Sequence, residues 1–221
     1  MLGVTDSPAR LVSTTIPGPV GRLEALLRLP ASPRGAAVVA HPHPLHGGTM
    51  HTKVVHRTAR LLSDRFGLAA LRFNFRGVGA SEGAYDEGRG EVDDLVAAAG
   101  FVRSEYPVGP FVLAGFSFGS VCALRAAALI RPMLLVLIGV PLDRFDPELA
   151  GPLAGLPVVW IQGERDEFGA ASWARPIAER LGWTPLTVEG ADHFFAGRLD
   201  AFEEILGREL DARLGPETAA P

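Results

Sequence analysis

Short apolar runs rich in β-branched residues alternate along this chain with longer stretches whose apolar positions recur at helical spacing. Residues 22–29 alternate apolar and polar positions and predict an early strand. Residues 36–40, 68–73, 111–114, 133–139 and 158–162 are nearly continuous apolar runs of strand length, the pattern of strands buried on both faces. Residues 185–188 read as a last, short strand. Between these runs, residues 52–66 place Val54, Val55, Ala59, Leu62 and Phe66 on one helical face. Residues 91–103, 121–130, 172–181 and 199–214 predict further helices. Glu91, Asp93 and Asp94 fall in the first turn of theirs, where the helix dipole favours negative charge. Strands that alternate with helices predict an α/β fold: a mostly parallel, twisted sheet with helices on both faces. Neither a repeat nor a flexible linker divides the chain, so residues 1–221 read as a single domain, with residues 1–10 and 215–221 expected to be mobile. The stretch 140–157 is short, and a parallel crossover alone needs a dozen or more residues. Little length remains there for an inserted lid.

Composition narrows the field. With 48% apolar and 21% charged residues, a chain of this length can bury a full core. The net charge of −4 is spread over interspersed residues, so neither a nucleic acid nor a membrane surface is an expected partner. Positive charge is almost all arginine, Lys53 being the one lysine. Cys122 is the one cysteine, so no disulfide can form within the chain. The first residues lack the charged and apolar regions of a secretory signal, and the longest apolar runs, such as 133–140, are too short to span a bilayer. A cytoplasmic location is expected, and a homodimer is left open.

The string G-x-S-x-G occurs twice, and its surroundings separate the copies. Gly115-Phe116-Ser117-Phe118-Gly119 lies between a predicted strand and a predicted helix. Such a sharp turn forces its serine into a strained conformation, and the glycines avoid clashes where strand and helix approach. The helix start also places backbone N–H groups near a developing oxyanion. Ser81, in Gly79-Ala80-Ser81-Glu82-Gly83, sits in loop and is not expected to act as a nucleophile. A serine hydroxyl needs a base, and a histidine titrates in the right range. Five of the six histidines precede Ser117; His193 alone follows it, on a loop just past the last predicted strand. Carboxyl ends of strands are where sites form in open α/β sheets. The acid that orients the histidine is expected between the two in chain order. Asp166, a few residues past a buried strand, is the main candidate, and Asp143 is its rival; Glu164 and Asp192 are weaker.

The loop His41-Pro42-His43-Pro44-Leu45-His46-Gly47-Gly48 follows another buried strand. A loop in this position supplies one oxyanion N–H, and the residue after the nucleophile, Phe118, supplies the second. Pro42 and Pro44 have no N–H, which leaves His43 or Leu45, with His43 preferred. His41 and His43 also form an H-x-H pair that can chelate a metal, but no cysteine joins them and the following glycines suit a backbone-lined loop. No metal and no cofactor is expected.

Four segments together resemble a known family: residues 41–44 with Gly47-Gly48-Thr49-Met50, Arg72-Phe73-Asn74-Phe75-Arg76-Gly77-Val78-Gly79, residues 115–119, and Ala191-Asp192-His193-Phe194-Phe195. They are similar to the small, lid-less bacterial α/β-hydrolases, related in style to the dienelactone hydrolases. The resemblance covers residues 15–213. It implies the α/β-hydrolase fold with no lid domain, and a triad of Ser117, Asp166 and His193. Position 117 is serine where dienelactone hydrolases proper carry cysteine, so their lactone substrate does not carry over. The expected activity is hydrolysis of a small carboxylic ester through an acyl-enzyme, with Leu45, Phe116, Phe168, Trp173 and Phe194 as expected substrate contacts. A thioesterase or peptidase with the same triad, a non-catalytic binder of small molecules on this fold, and a metal-dependent enzyme using His41 and His43 are the alternatives.

Overall fold

The apolar runs become the strands of one sheet in this computed structural model, which describes residues 9–148 and 153–215. Its strands are β1 Arg10–Gly18, β2 Gly21–Leu29, β3 Gly35–Ala40, β4 Leu68–Phe73, β5 Phe111–Phe116, β6 Leu134–Ile138, β7 Val158–Gly163 and β8 Pro185–Val188. They lie in the order β1-β2-β4-β3-β5-β6-β7-β8. β2 pairs antiparallel with β1 and with β4, and every pair from β4 through to β8 is parallel. The helices are α1 Lys53–Asp64, α2 Gly90–Glu105, α3 Phe118–Ile130, α4 Ala171–Arg180 and α5 Leu199–Leu214. None among the described residues is long and apolar enough to cross a membrane. The connection from β6 to β7 holds no α-helix among its described residues. Residues 1–8 and 216–221, most of the two ends expected to be mobile, lie outside the described residues.

Side-chain alternation divides the core into two layers. In β3, Ala36, Val38 and Ala40 face α2, α3 and α4, while Ala37 and Val39 face α1 and α5. β5 does the same, with Leu113 on the first face and Val112, Ala114 and Phe116 on the second. Each Leu or Phe buried this way contributes about 1.5–3 kcal/mol, so the continuous apolar runs stabilise the centre of the sheet from both sides. The second layer is closed by Leu62 of α1 and by Phe202, Leu206 and Leu210 of α5.

Two features differ from the predicted elements. The first strand was not among them: β1 pairs with β2 through a tight hairpin in which Gly18 faces Gly21. As an edge strand it buries Ile16 fully and leaves most other positions partly or fully exposed, so it carries little apolar signal. The second concerns spacing around Ser117. β5 runs on to Phe116 and α3 begins at Phe118, so a single residue joins strand to helix.

One buried ion pair fixes the loop after β4. Arg76 donates from Nε (3.0 Å) and Nη2 (2.7 Å) to the Asp94 carboxylate of α2, and its backbone N–H also donates to that group at 3.0 Å. Both side chains are almost entirely buried. A buried guanidinium left without its carboxylate is costly. Asp94→Ala is therefore expected to lower the unfolding free energy in urea by about 3–5 kcal/mol. Asp143→Ala, which removes an exposed carboxylate, is expected to stay within about 0.5 kcal/mol of the parent.

Candidate active site

Ser117 has φ 56° and ψ −123°, a conformation that L-residues rarely adopt. The glycines around it are required by contact. A Cβ on Gly115 would lie 2.1 Å from the Gly119 carbonyl oxygen, and one on Gly119 would lie 2.6 Å from the carbonyl oxygens of Ala40 and His41. The turn is held by the Ser117 N–H, which donates to the Ile138 carbonyl of β6 at 2.9 Å. Ser120 Oγ donates to the Ser117 carbonyl at 2.6 Å. The other G-x-S-x-G serine does different work. Ser81 Oγ donates to the Asn74 carbonyl (2.7 Å) and accepts the Glu24 N–H (2.9 Å), tying β2 to the loop after β4.

His193 stands on the loop after β8 with Nε2 2.8 Å from Ser117 Oγ. Its Nδ1 lies 2.9 Å from each oxygen of Asp166, in the loop after β7. An ionised carboxylate only accepts, so the ring proton sits on Nδ1 and Nε2 turns a lone pair to the hydroxyl. Asp166 also accepts the Phe168 N–H and the Gln162 Nε2–H, both at 2.9 Å. Gln162 is itself braced, its Oε1 accepting the Val140 N–H and the Trp160 indole N–H at 2.9 Å each. Ser117, His193 and Asp166 are all buried. The other carboxylates considered from sequence lie elsewhere. Asp143 is exposed beside Arg144 at 4.0 Å, Glu164 accepts the Gly190 N–H, and Asp192 accepts the Ala196 N–H.

The loop after β3 is set by buried polar contacts. His41 Nε2 accepts the Phe75 N–H at 3.0 Å, which places its proton on Nδ1, 2.6 Å from the Pro42 carbonyl. Both ring nitrogens are thereby engaged by backbone, so the H-x-H pair is not brought together as a chelate. Met50 is gripped at both ends: its N–H donates to Asn74 Oδ1 (2.8 Å) and its carbonyl accepts from Arg72 Nη1 (2.6 Å). The Leu45 N–H donates to His43 Nδ1 at 3.2 Å. The N–H groups of His43 and Phe118 donate to no backbone acceptor among the described residues. His43 Nε2 meets the Tyr85 hydroxyl at 3.1 Å, and its ring stacks on His46 with centroids 4.3 Å apart. Tyr85, Gln162, Arg72 and Asn74 received no individual role from sequence. Arg72 and Asn74 lie in a motif segment, whereas nothing local marks Tyr85 or Gln162.

A family model of the α/β-hydrolase fold matches residues 45–134. An uncharacterized protein of Rickettsia prowazekii, RP471, is 33% identical over 207 residues, covering 87% of this chain and 86% of its own. The solved structure of XC6422 from Xanthomonas campestris, an α/β serine hydrolase without a lid, is 36% identical with a TM-score of 0.83, over 97% of this chain and 99% of that one. An α/β serine hydrolase homologue from Coxiella burnetii is 37% identical with a TM-score of 0.82, over 90% and 97% of the two chains. The chain belongs to the α/β-hydrolase family.

As in a lid-less hydrolase, the cleft above Ser117 is open; its volume is about 320 Å³, and His43, Thr52, Phe118, Phe168 and Phe194 are among its walls. Two of the five expected substrate contacts, Phe168 and Phe194, line it. Phe116 does not: it is fully buried beneath the imidazole, with ring centroids 5.2 Å apart. Leu45 and Trp173 are exposed outside the cleft walls. A wider hollow of about 580 Å³ beside β8 is lined by Arg165, Arg198 and Arg208 against Glu164, Glu189 and Glu204, with no nucleophile beside a base.

Burial pushes the His41 imidazole from its ordinary 6.5 down to about 4, against a smaller opposing effect of its bond to the Pro42 carbonyl. Below its ordinary value the unfolded chain takes up a proton that the folded hydrolase refuses. This stabilisation is complete above pH 6.5 and is lost as the pH falls towards about 4. Urea unfolding across that range should show a loss of about 3 kcal/mol that is missing from a His41→Gln protein, which cannot titrate there.

Proposed function

We propose that this hydrolase cleaves small carboxylic esters, with Ser117 as nucleophile, His193 as general base and acid, and Asp166 as the group that orients the ring. The single observation that carries the reading is the line of contacts from the Asp166 carboxylate through the imidazole to Ser117 Oγ, at 2.9 Å and 2.8 Å. Ser117 Oγ attacks the acyl carbon while its proton passes to His193 Nε2. The tetrahedral oxyanion accepts hydrogen bonds from the N–H groups of Phe118 and His43. The alternative donor at Leu45 is disfavoured because its N–H is committed to His43 Nδ1. Collapse expels the alcohol, which takes the proton from His193. Water then gives a proton to Nε2 and attacks the acyl-enzyme. The acid is released and Ser117 regains its hydrogen. Through both steps the Asp166 charge stabilises the imidazolium.

An open cleft without a lid favours small or water-soluble esters over long acyl chains. Ser117→Ala should lower turnover of p-nitrophenyl acetate by about 10⁴-fold or more with no loss of thermal stability. A fluorophosphonate should label the parent protein at Ser117, as located by peptide mapping. Turnover retained in Ser117→Ala, or a label on another residue, would overturn the assignment. Acetyl thioesters and aminoacyl anilides run in parallel rank the acyl leaving groups; faster cleavage of either than of the ester would replace the ester reading.

A further inference from the structure

Phe194 is one wall of the cleft above Ser117. Phe194 also lines a second hollow of about 270 Å³, whose walls include Val54, Ala196 and Leu199. The two spaces share Thr52 and Phe194 and no other lining residue among those described. Phe194 is half exposed and rests edge-on against His193 and Phe116, with centroids 5.2 Å and 5.7 Å away. It therefore borders two largely apolar spaces and belongs to neither buried core layer.

We propose that Phe194 determines specificity by limiting the length of an unbranched aliphatic arm of the substrate. In the parent protein the arm ends against the ring, so short-chain esters are favoured. Without the ring, further methylenes enter the hollow between α1 and the start of α5. This inference rests on the reading of Ser117 as the nucleophile. Loss of the ring also touches His193, but an altered imidazole changes reaction with short and long chains alike. The ratio between chain lengths therefore isolates the role of Phe194.

The test compares the rates at which an ethyl and an octyl fluorophosphonate inactivate the parent, Phe194→Ala and the double variant Phe194→Ala with Ala196→Phe. Each methylene moved from water into an apolar space is worth roughly fourfold in rate. Burial in an open hollow is partial, so the octyl-to-ethyl ratio should rise by about tenfold or more in Phe194→Ala. It should fall back when Ala196→Phe refills the space. An unchanged ratio with Ser117 still labelled overturns the role of Phe194 and leaves the proposed chemistry standing. Absence of labelling by either probe in the parent overturns both. Should Phe194→Ala fail to fold, Phe194→Leu is expected to give a smaller rise in the same direction, and a flat ratio there overturns the role equally.

Discussion

A strand can pass straight into a helix through one residue only if that residue leaves the ordinary backbone regions, and Ser117 does so at φ 56° and ψ −123°. Strain of this kind costs about 1–3 kcal/mol and persists only where the surroundings over-determine it. Here they do. The Ser117 N–H is taken by β6 through Ile138, and Gly119 is pressed against the carbonyls that end β3. Neighbouring parallel strands therefore converge on the turn at their carboxyl ends. Parallel pairing brings the loops after β7 and β8 to the same rim, so side chains 76 residues apart come within a hydrogen bond. A misplaced turn would leave the imidazole Nε2 without its hydroxyl partner.

The second element of preorganisation is polar. The loop that contributes His43 is held by groups from the end of β4 and just beyond it. Arg72 and Asn74 grip Met50, and the Phe75 N–H fixes His41. These holders are held in turn: Asn74 Nδ2 donates to Glu24 at 2.7 Å, and Arg76 is locked to Asp94. No buried side-chain polar atom among the described residues lacks a partner. A satisfied network of this kind is rigid, because any displacement strands a desolvated donor or acceptor. Under the proposed mechanism, such rigidity aims the His43 N–H at a developing charge without reorganisation during reaction.

Legibility in the sequence followed burial and chain order. The parallel strands could be read because burial on both faces writes an unbroken apolar run. β1 could not, since an edge strand that buries only Ile16 fully resembles loop. The positions of Ser117, Asp166 and His193 could be named because a turn motif and a chain order constrain them. The contact of Tyr85 with His43 joins residues 42 apart in the chain and leaves no local trace. Phe116, an expected substrate contact, is instead buried. The period of two in β5 puts it on the same face as Val112 and Ala114, which sends its ring into the core and out of the cleft lining. Trp173 shows the converse: an exposed position on α4 tells nothing of where its ring points relative to a cleft built by other elements.

No lid covers the cleft among the described residues, yet the imidazole side chain beside it is only 3% exposed. Three phenylalanines keep water from it. Phe116 lies beneath the ring, while Phe168 and Phe194 meet it edge to face at 4.7 Å and 5.2 Å. Exclusion of water lowers the local dielectric and strengthens the bond between Nδ1 and Asp166. Two of those rings, Phe116 and Phe194, belong to the elbow strand and to the loop that carries the proposed base. The cost of desolvating the Asp166 carboxylate is therefore met during folding. In an enzyme whose lid closes over substrate, part of that cost falls on the binding step instead. Two of the rings that dry the imidazole, Phe168 and Phe194, also line the cleft above Ser117.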